Sequence, residues 1–131
     1  MTIDIKRVAQ WAIPTVIIAF FMFGFLKNML GTASGNELSD ALHQGAFLVD
    51  VRSQGEFAEG SVQGAVNIPL DEIENRIEEF EDKERIVVFC RSGNRSSQAK
   101  NILERHGITN VLNGGSWEHV SEINLKPHQH K

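Results

Sequence analysis

Between residues 36 and 125 the apolar positions obey two alternating rules. Short, mainly apolar stretches at 46–51, 65–68, 86–89 and 108–112 predict strands, and the unbroken run 86–89 (Ile86, Val87, Val88, Phe89) has the continuity of a strand buried on both faces. Between these runs, apolar residues recur every third or fourth position, as on one face of a helix. Leu38, Ala41 and Leu42 mark a helix over 36–44, capped by Asn36 and stopped by Gly45. Ile73, Ile77 and Phe80 stripe 71–80, and the glutamates between them form a solvated face. Ala99, Ile102 and Leu103 mark 97–106, with Gly107 as the stop, and Trp117 with Val120 marks a last short helix. Gly60 to Gly64 and Asn113-Gly114-Gly115 are predicted turns, and Pro69 stops the strand before it. Strands alternating with helices at this spacing predict an α/β fold with a parallel sheet of about five strands and helices on both faces, the earliest strand being poorly marked.

The first thirty residues follow neither rule. Lys6 and Arg7 precede an uncharged run, 8–26, of 19 residues closed by Lys27. As a helix it would be about 28 Å long, against roughly 30 Å for a bilayer's hydrocarbon core. Trp11 suits an interfacial position, and Pro14 falls in the first turns, where a missing N–H costs little. The run predicts a single-pass membrane anchor. A secretory signal cleaved near Gly31-Thr32-Ala33 is the alternative, but the length of the run and Lys27 favour retention. A buried soluble helix fits poorly, because the run is apolar and aromatic around its whole circumference. The expected organisation is an anchor at 1–30, a linker at 31–36, an α/β domain at 37–122 and a tail at 123–131. Lys6 and Arg7 lean towards an inside N-terminus and an extracytoplasmic domain, whereas a lone reactive thiol is more easily kept reduced in the cytosol.

Charge narrows the function classes. The 131 residues carry a net charge of −4. Setting aside Lys6, Arg7, Lys27 and Asp4 leaves ten basic and sixteen acidic residues, a net of −6 on the domain. An acidic domain is a poor partner for nucleic acid, which is held by neutralising phosphates. His43, His106 and His119 are scattered, and His128 and His130 sit in the terminal stretch. No metal or cofactor is expected, since a dedicated zinc site needs three or four placed ligands.

The chemistry points to the one cysteine. Cys90-Arg91-Ser92-Gly93-Asn94-Arg95-Ser96 follows a predicted strand and opens a predicted helix, the place where open α/β sheets form their ligand crevices. Backbone N–H groups of residues 92–96 and the positive end of the helix would converge on the sulfur, and Arg91 and Arg95 add permanent charge. Such a setting brings a thiol pKa from about 8.5 into the range of roughly 3.5–7.5. Gly93 lets the backbone turn sharply and approach a ligand closely. The bland alternative is a small buried hydrophobe, which a polar, arginine-bearing loop argues against. Asp50 and Arg52 reach the same sheet edge, and Arg52 with Glu56 is expected to form an ion pair that fixes their loop.

The spacing C-x-x-x-x-R resembles the active loop of the rhodanese family of sulfurtransferases; cysteine phosphatases need one residue more. The stretch Asp50-Val51-Arg52 with Glu56-Phe57, Gly60, Gly64-Ala65, and Asn67-Ile68-Pro69 is similar to a second rhodanese motif, with Ser61 in place of the usual histidine. Gly114-Gly115 before Trp117 resembles the family's closing segment. The resemblance covers about 36–120. It implies a rhodanese-like fold, a persulfide on Cys90, a small anionic donor such as thiosulfate held by residues 91–96, and a cyanide, thiol or protein-cysteine acceptor. A membrane-tethered persulfide carrier, a non-enzymatic docking module, and a phosphatase or arsenate-type reductase are the readings of other classes. Retention of Cys90 with both arginines speaks against the docking module, and loop length against the phosphatase.

Overall fold

The chain divides into two compact units, Met1–Gly31 and Thr32–Lys131. A computed structural model describes residues 32–127. The expected anchor at 8–26 and the histidines of the terminal stretch lie outside the described residues. Among the described residues, no helix is long and apolar enough to cross a membrane.

The elements in order are α1 (Gly35–His43), β1 (Phe47–Asp50), α2 (Gln54–Glu59), β2 (Val66–Asn67), a 3₁₀ helix (Leu70–Arg76), α3 (Glu78–Glu81), β3 (Ile86–Cys90), α4 (Asn94–Arg105), β4 (Val111–Ser116) and α5 (Trp117–Leu125). The four strands form one parallel sheet in the order β2-β1-β3-β4. The expected fifth strand is not formed among the described residues. Where the chain enters the domain, Ala33 N–H donates to Asn113 C=O at 2.9 Å, a single bond in place of a ladder.

Strand β3 is buried at all five positions, as its unbroken apolar run requires. Its side chains alternate between two cores. Ile86, Val88 and Cys90 pack with Val49, Ile68, Ile73, Phe80, Ala99 and Leu103, beneath the 3₁₀ helix, α3 and α4. Val87 and Phe89 pack with Leu38, Ala41, Val62, Val120 and Ile123, beneath α1 and α5. Helices therefore cover both faces. Full burial of a side chain such as Phe89 stabilises by about 1.5–3 kcal/mol, so the strand carrying the cysteine is the most firmly seated part of the sheet.

Several boundaries differ from those expected, each for a local reason. Ser34, not Asn36, caps α1, its Oγ accepting from Glu37 N–H at 3.3 Å. The stripe at 71–80 breaks into a 3₁₀ segment and a short α-helix that meet at Ile77. Helix α2 had no counterpart in the apolar pattern because it buries no residue; it is written instead in a capping box, Ser53 with Glu56. Helix α4 starts at Asn94, inside the cysteine loop. Asn113-Gly114-Gly115 is strand, not turn. Here Val88 pairs with Asn113 but Phe89 with Gly115, so Gly114 is a bulge residue. A Cβ on Gly114 would lie 2.7 Å from Val120 Cγ2 and 3.1 Å from Val87 Cγ1, which explains the glycine by packing. Packed structure extends past the expected 37–122: Ala33 packs on one core and Ile123 is buried in it.

Candidate active site

Cys90 is the last residue of β3, and the chain reverses over Arg91, Ser92 and Gly93 into α4. Gly93 makes the reversal possible: it caps α4 at φ 96°, in the left-handed region that favours glycine. A Cβ there would stand 3.4 Å from Gly115 Cα, so the loop also rests close against β4. The turn aims Gly93 N–H at the cysteine sulfur, 3.0 Å away, and brings Ser96 Oγ to 3.4 Å from it.

Burial pushes the Cys90 thiol up. The Ser96 hydroxyl and the backbone N–H groups of Ser96, Ser92 and Gly93 outweigh it and leave the thiol below its ordinary value of 9.0. Of the donors expected from residues 92–96, those of Ser92, Gly93 and Ser96 act on the sulfur. Cys90 is 1% exposed and Ser96 fully buried, while Arg91, Ser92 and Asn94 face solvent.

The arginines pair differently from expectation. Arg52 does not reach Glu56. It turns back onto Asp50, with Nη2 2.7 Å from Oδ2, Nε 3.0 Å from both carboxylate oxygens and its own backbone N–H 2.9 Å from Oδ1. Ser61, at the position of the family's histidine, donates to Asp50 Oδ2 at 2.7 Å, and Arg52 also donates to Gly60 C=O at 2.7 Å. Asn67 Nδ2 ties down the Asp50 and Arg52 carbonyls, and the Arg52 guanidinium lies 5.1 Å from the Trp117 ring centroid. This cluster is buried and complete.

Glu56 instead receives Arg95, thirty-nine residues on in sequence, through a two-pronged pair at 2.7 and 2.9 Å. The Arg95 guanidinium, with help from Ser53, holds the Glu56 carboxyl down to about 2. Glu56 in turn raises Arg95, and the charges of Cys90 and Asp50 add to that rise, so the guanidinium feels the sulfur. Arg91 makes no ion pair with another described residue. A groove of about 490 Å³ reaches Arg95 between Pro69, Leu70 and Ile102, but Cys90 is not one of its walls.

One residue at the site escaped the sequence reading. Asn113, 6% exposed, accepts the Ser96 hydroxyl at Oδ1 (2.7 Å) and Gly115 N–H at the same oxygen (3.0 Å), and its Nδ2 donates to Gly93 C=O at 3.3 Å. The pair of glycines after it suggested a turn; no signal in the sequence placed its side chain beside Ser96. Among the described residues, no cluster of three or more His, Cys, Asp or Glu side chains is placed to hold a metal ion, and His43, His106 and His119 are exposed.

Residues 34–121 match the model of the rhodanese-like domain. The chain belongs to the rhodanese family. It is 36% identical over 80 residues to the thiosulfate sulfurtransferase of Escherichia coli K12, covering 60% of this chain and 77% of that one. It is also 36% identical over 98 residues to human thiosulfate:glutathione sulfurtransferase, covering 63% of this chain and 84% of that one. Among solved structures, the human single-domain sulfurtransferase superposes with a TM-score of 0.58 at 29% identity, over 73% of this chain and 97% of that one. A rhodanese with anions from E. coli gives a TM-score of 0.53 at 37% identity, over 56% and 89%. Sulfur transfer is the function of these relatives, and the parallel α/β sheet of this domain is the rhodanese-like fold.

Proposed function

We propose that this rhodanese domain is a sulfurtransferase in which Cys90 carries a persulfide from a small anionic donor to a thiophilic acceptor. The observation that carries the reading is the depressed thiol of Cys90, held by Gly93 N–H and Ser96 Oγ in a C-x-x-x-x-R loop. With thiosulfate as donor, the Cys90 thiolate attacks the outer sulfur. A bond forms between Sγ and that sulfur, the donor's S–S bond breaks, and its electron pair leaves with sulfite. The negative charge now sits on the terminal persulfide sulfur. Cyanide, a small thiolate or a protein cysteine then attacks that sulfur, and Cys90 departs as thiolate. An ionised thiol needs no separate base, and two half-reactions predict ping-pong kinetics. Arg91 draws the donor to the loop; Arg95, half-neutralised by Glu56, orients it; and the backbone N–H groups of 92–96 receive donor oxygens and persulfide charge.

Intact-protein mass spectrometry after thiosulfate tests the reading: a gain of about 32 Da, one sulfur, on Cys90 that cyanide removes. A Cys90→Ser variant that still gains this mass would overturn the assignment.

The uncharged run 8–26 supports a further part of the proposal, a single membrane anchor that presents the domain on the extracytoplasmic side. Resistance to alkaline extraction from membranes is the expected behaviour of the anchor. Labelling of Cys90 by an impermeant thiol reagent in intact cells is the expected behaviour of the topology.

A further inference from the structure

The Ser96 hydroxyl has one hydrogen and two neighbours able to take it: Asn113 Oδ1 at 2.7 Å and the Cys90 sulfur at 3.4 Å. A thiol can give its own hydrogen to Ser96 Oγ, leaving the serine free to donate onward to Asn113. A thiolate has none to give and needs one. Asn113 does not lose its last partner when the serine turns away, because Gly115 N–H stays on the same oxygen at 3.0 Å. Its amide is held in place from the other side by the bond from Nδ2 to Gly93 C=O. The arrangement therefore has two satisfied states that differ by rotation of one O–H bond, in a pocket where Ser96 and Cys90 are shut from water.

We propose that Asn113 is a positioning residue that acts on Cys90 through Ser96, its Oδ1 competing with the sulfur for the single hydroxyl hydrogen. The inference rests on the sulfur-transfer reading. When Sγ is a thiolate the serine faces it. Once Sγ is bonded to the incoming sulfur, charge moves to the terminal atom and the serine returns to Asn113. When the acceptor removes that sulfur, Sγ regains its charge and the serine swings back. Competition means that Asn113 moderates the thiolate rather than stabilising it.

The charged groups nearest to the question are Arg95 of α4, which feels the sulfur and is paired with Glu56 of α2, and the Asp50–Arg52 pair at the end of β1. Their side-chain bonds do not go to Ser96 or Asn113, so they act equally in every variant compared.

The test is the midpoint of the Cys90 titration, read from thiolate absorbance and from the pH dependence of iodoacetamide alkylation. Asn113→Leu is expected to lower the midpoint by roughly half a unit to one unit, the worth of one hydrogen bond no longer given up on ionisation. Ser96→Ala is expected to raise it by a similar amount. The double variant should match Ser96→Ala, because the effect of residue 113 passes through the serine. A rise in Asn113→Leu, or a shift that persists undiminished in the Ser96→Ala background, overturns the proposal: either is what a merely supporting role predicts. Should Asn113→Leu fail to fold, the wild-type chain still decides. The Gly115 amide proton, which shares Oδ1 with Ser96, should move downfield with the Cys90 midpoint and lose that response in Ser96→Ala; an unchanged response there rejects the relay. Failure of these couplings while sulfur still loads onto Cys90 removes the relay alone. Failure of loading in the wild type removes the sulfur-transfer reading instead.

Discussion

The carboxyl ends of β1 and β3 lie side by side in the sheet, Asp50 in register with Phe89, and each carries a buried polar cluster. At β1 the cluster is a full charge pair, Asp50 with Arg52, every bond short and both side chains 5% exposed or less. At β3 it is one sulfur held by neutral donors, with a hydroxyl that has two places to point. A buried charge pair has deep energetic consequences if either half is removed, and so it holds the geometry still. Neutral dipoles around a sulfur stabilise its charge without cancelling it, and so leave it able to react. The first end is a fixture and the second a working part.

The contrast is sharpest if the two ends are broken separately. Cys90→Ser should lower sulfur transfer by about 10³-fold or more with the melting temperature nearly unchanged; a comparable loss of stability would show that the sulfur is mainly a packing group. Arg52→Met should do the reverse, destabilising by about 3–5 kcal/mol by leaving Asp50 charged and unpaired at 0% exposure. Denaturant unfolding measures it, and an unchanged midpoint would refute the view of β1 as the fixture. Arg95→Ala should lower kcat/KM for an anionic donor by about 10–100-fold, the worth of one charged hydrogen bond. If kcat/KM does not change, the residue only braces Glu56. Ser61→Ala should cost about 1.5 kcal/mol, since Asp50 keeps its bonds to Arg52.

The smallest effect is an acid one. Glu56 titrates at about 2 in the folded chain against 4.5 for a free carboxyl, so between those values the folded state holds fewer protons than the unfolded. Its contribution is present in full above pH 4.5 and disappears as pH falls through about 2. Solvent reaches about a third of both Glu56 and Arg95, which keeps it to roughly 0.2–1 kcal/mol. Glu56→Gln should flatten that part of the stability curve, and a curve of unchanged shape would show that the pair adds nothing.

These differences also mark what could be read before the fold was known. The strand at 86–89, the cysteine at its end and the alternation of strand and helix were legible because each is a local pattern of apolar or loop-forming residues. The ion pairs were not. Glu56 lies four residues from Arg52 and thirty-nine from Arg95, and proximity in sequence pointed to the wrong partner. Arg52 is drawn instead into the buried corner, where both oxygens of the Asp50 carboxylate accept from its guanidinium. Asn113 was hidden for a different reason. Two consecutive glycines signal a turn when only the backbone is considered, but Gly114 is glycine because Val120 of α5 and Val87 of β3 press on it. Helix α2, by contrast, could have been found from Ser53 and Glu56.

The irregular rung between β3 and β4 has a genetic corollary. Removing Gly114 would keep Val88 opposite Asn113 and Phe89 opposite Gly115 in a regular ladder, which by pairing alone should be welcome, yet it would take out the local bend across which Gly115 N–H reaches back to the Asn113 side chain that serves the Ser96 hydroxyl. Length at this point of the chain is therefore under tighter constraint than residue type at most others, and a one-codon deletion there should be worse tolerated than many substitutions in the surrounding loops.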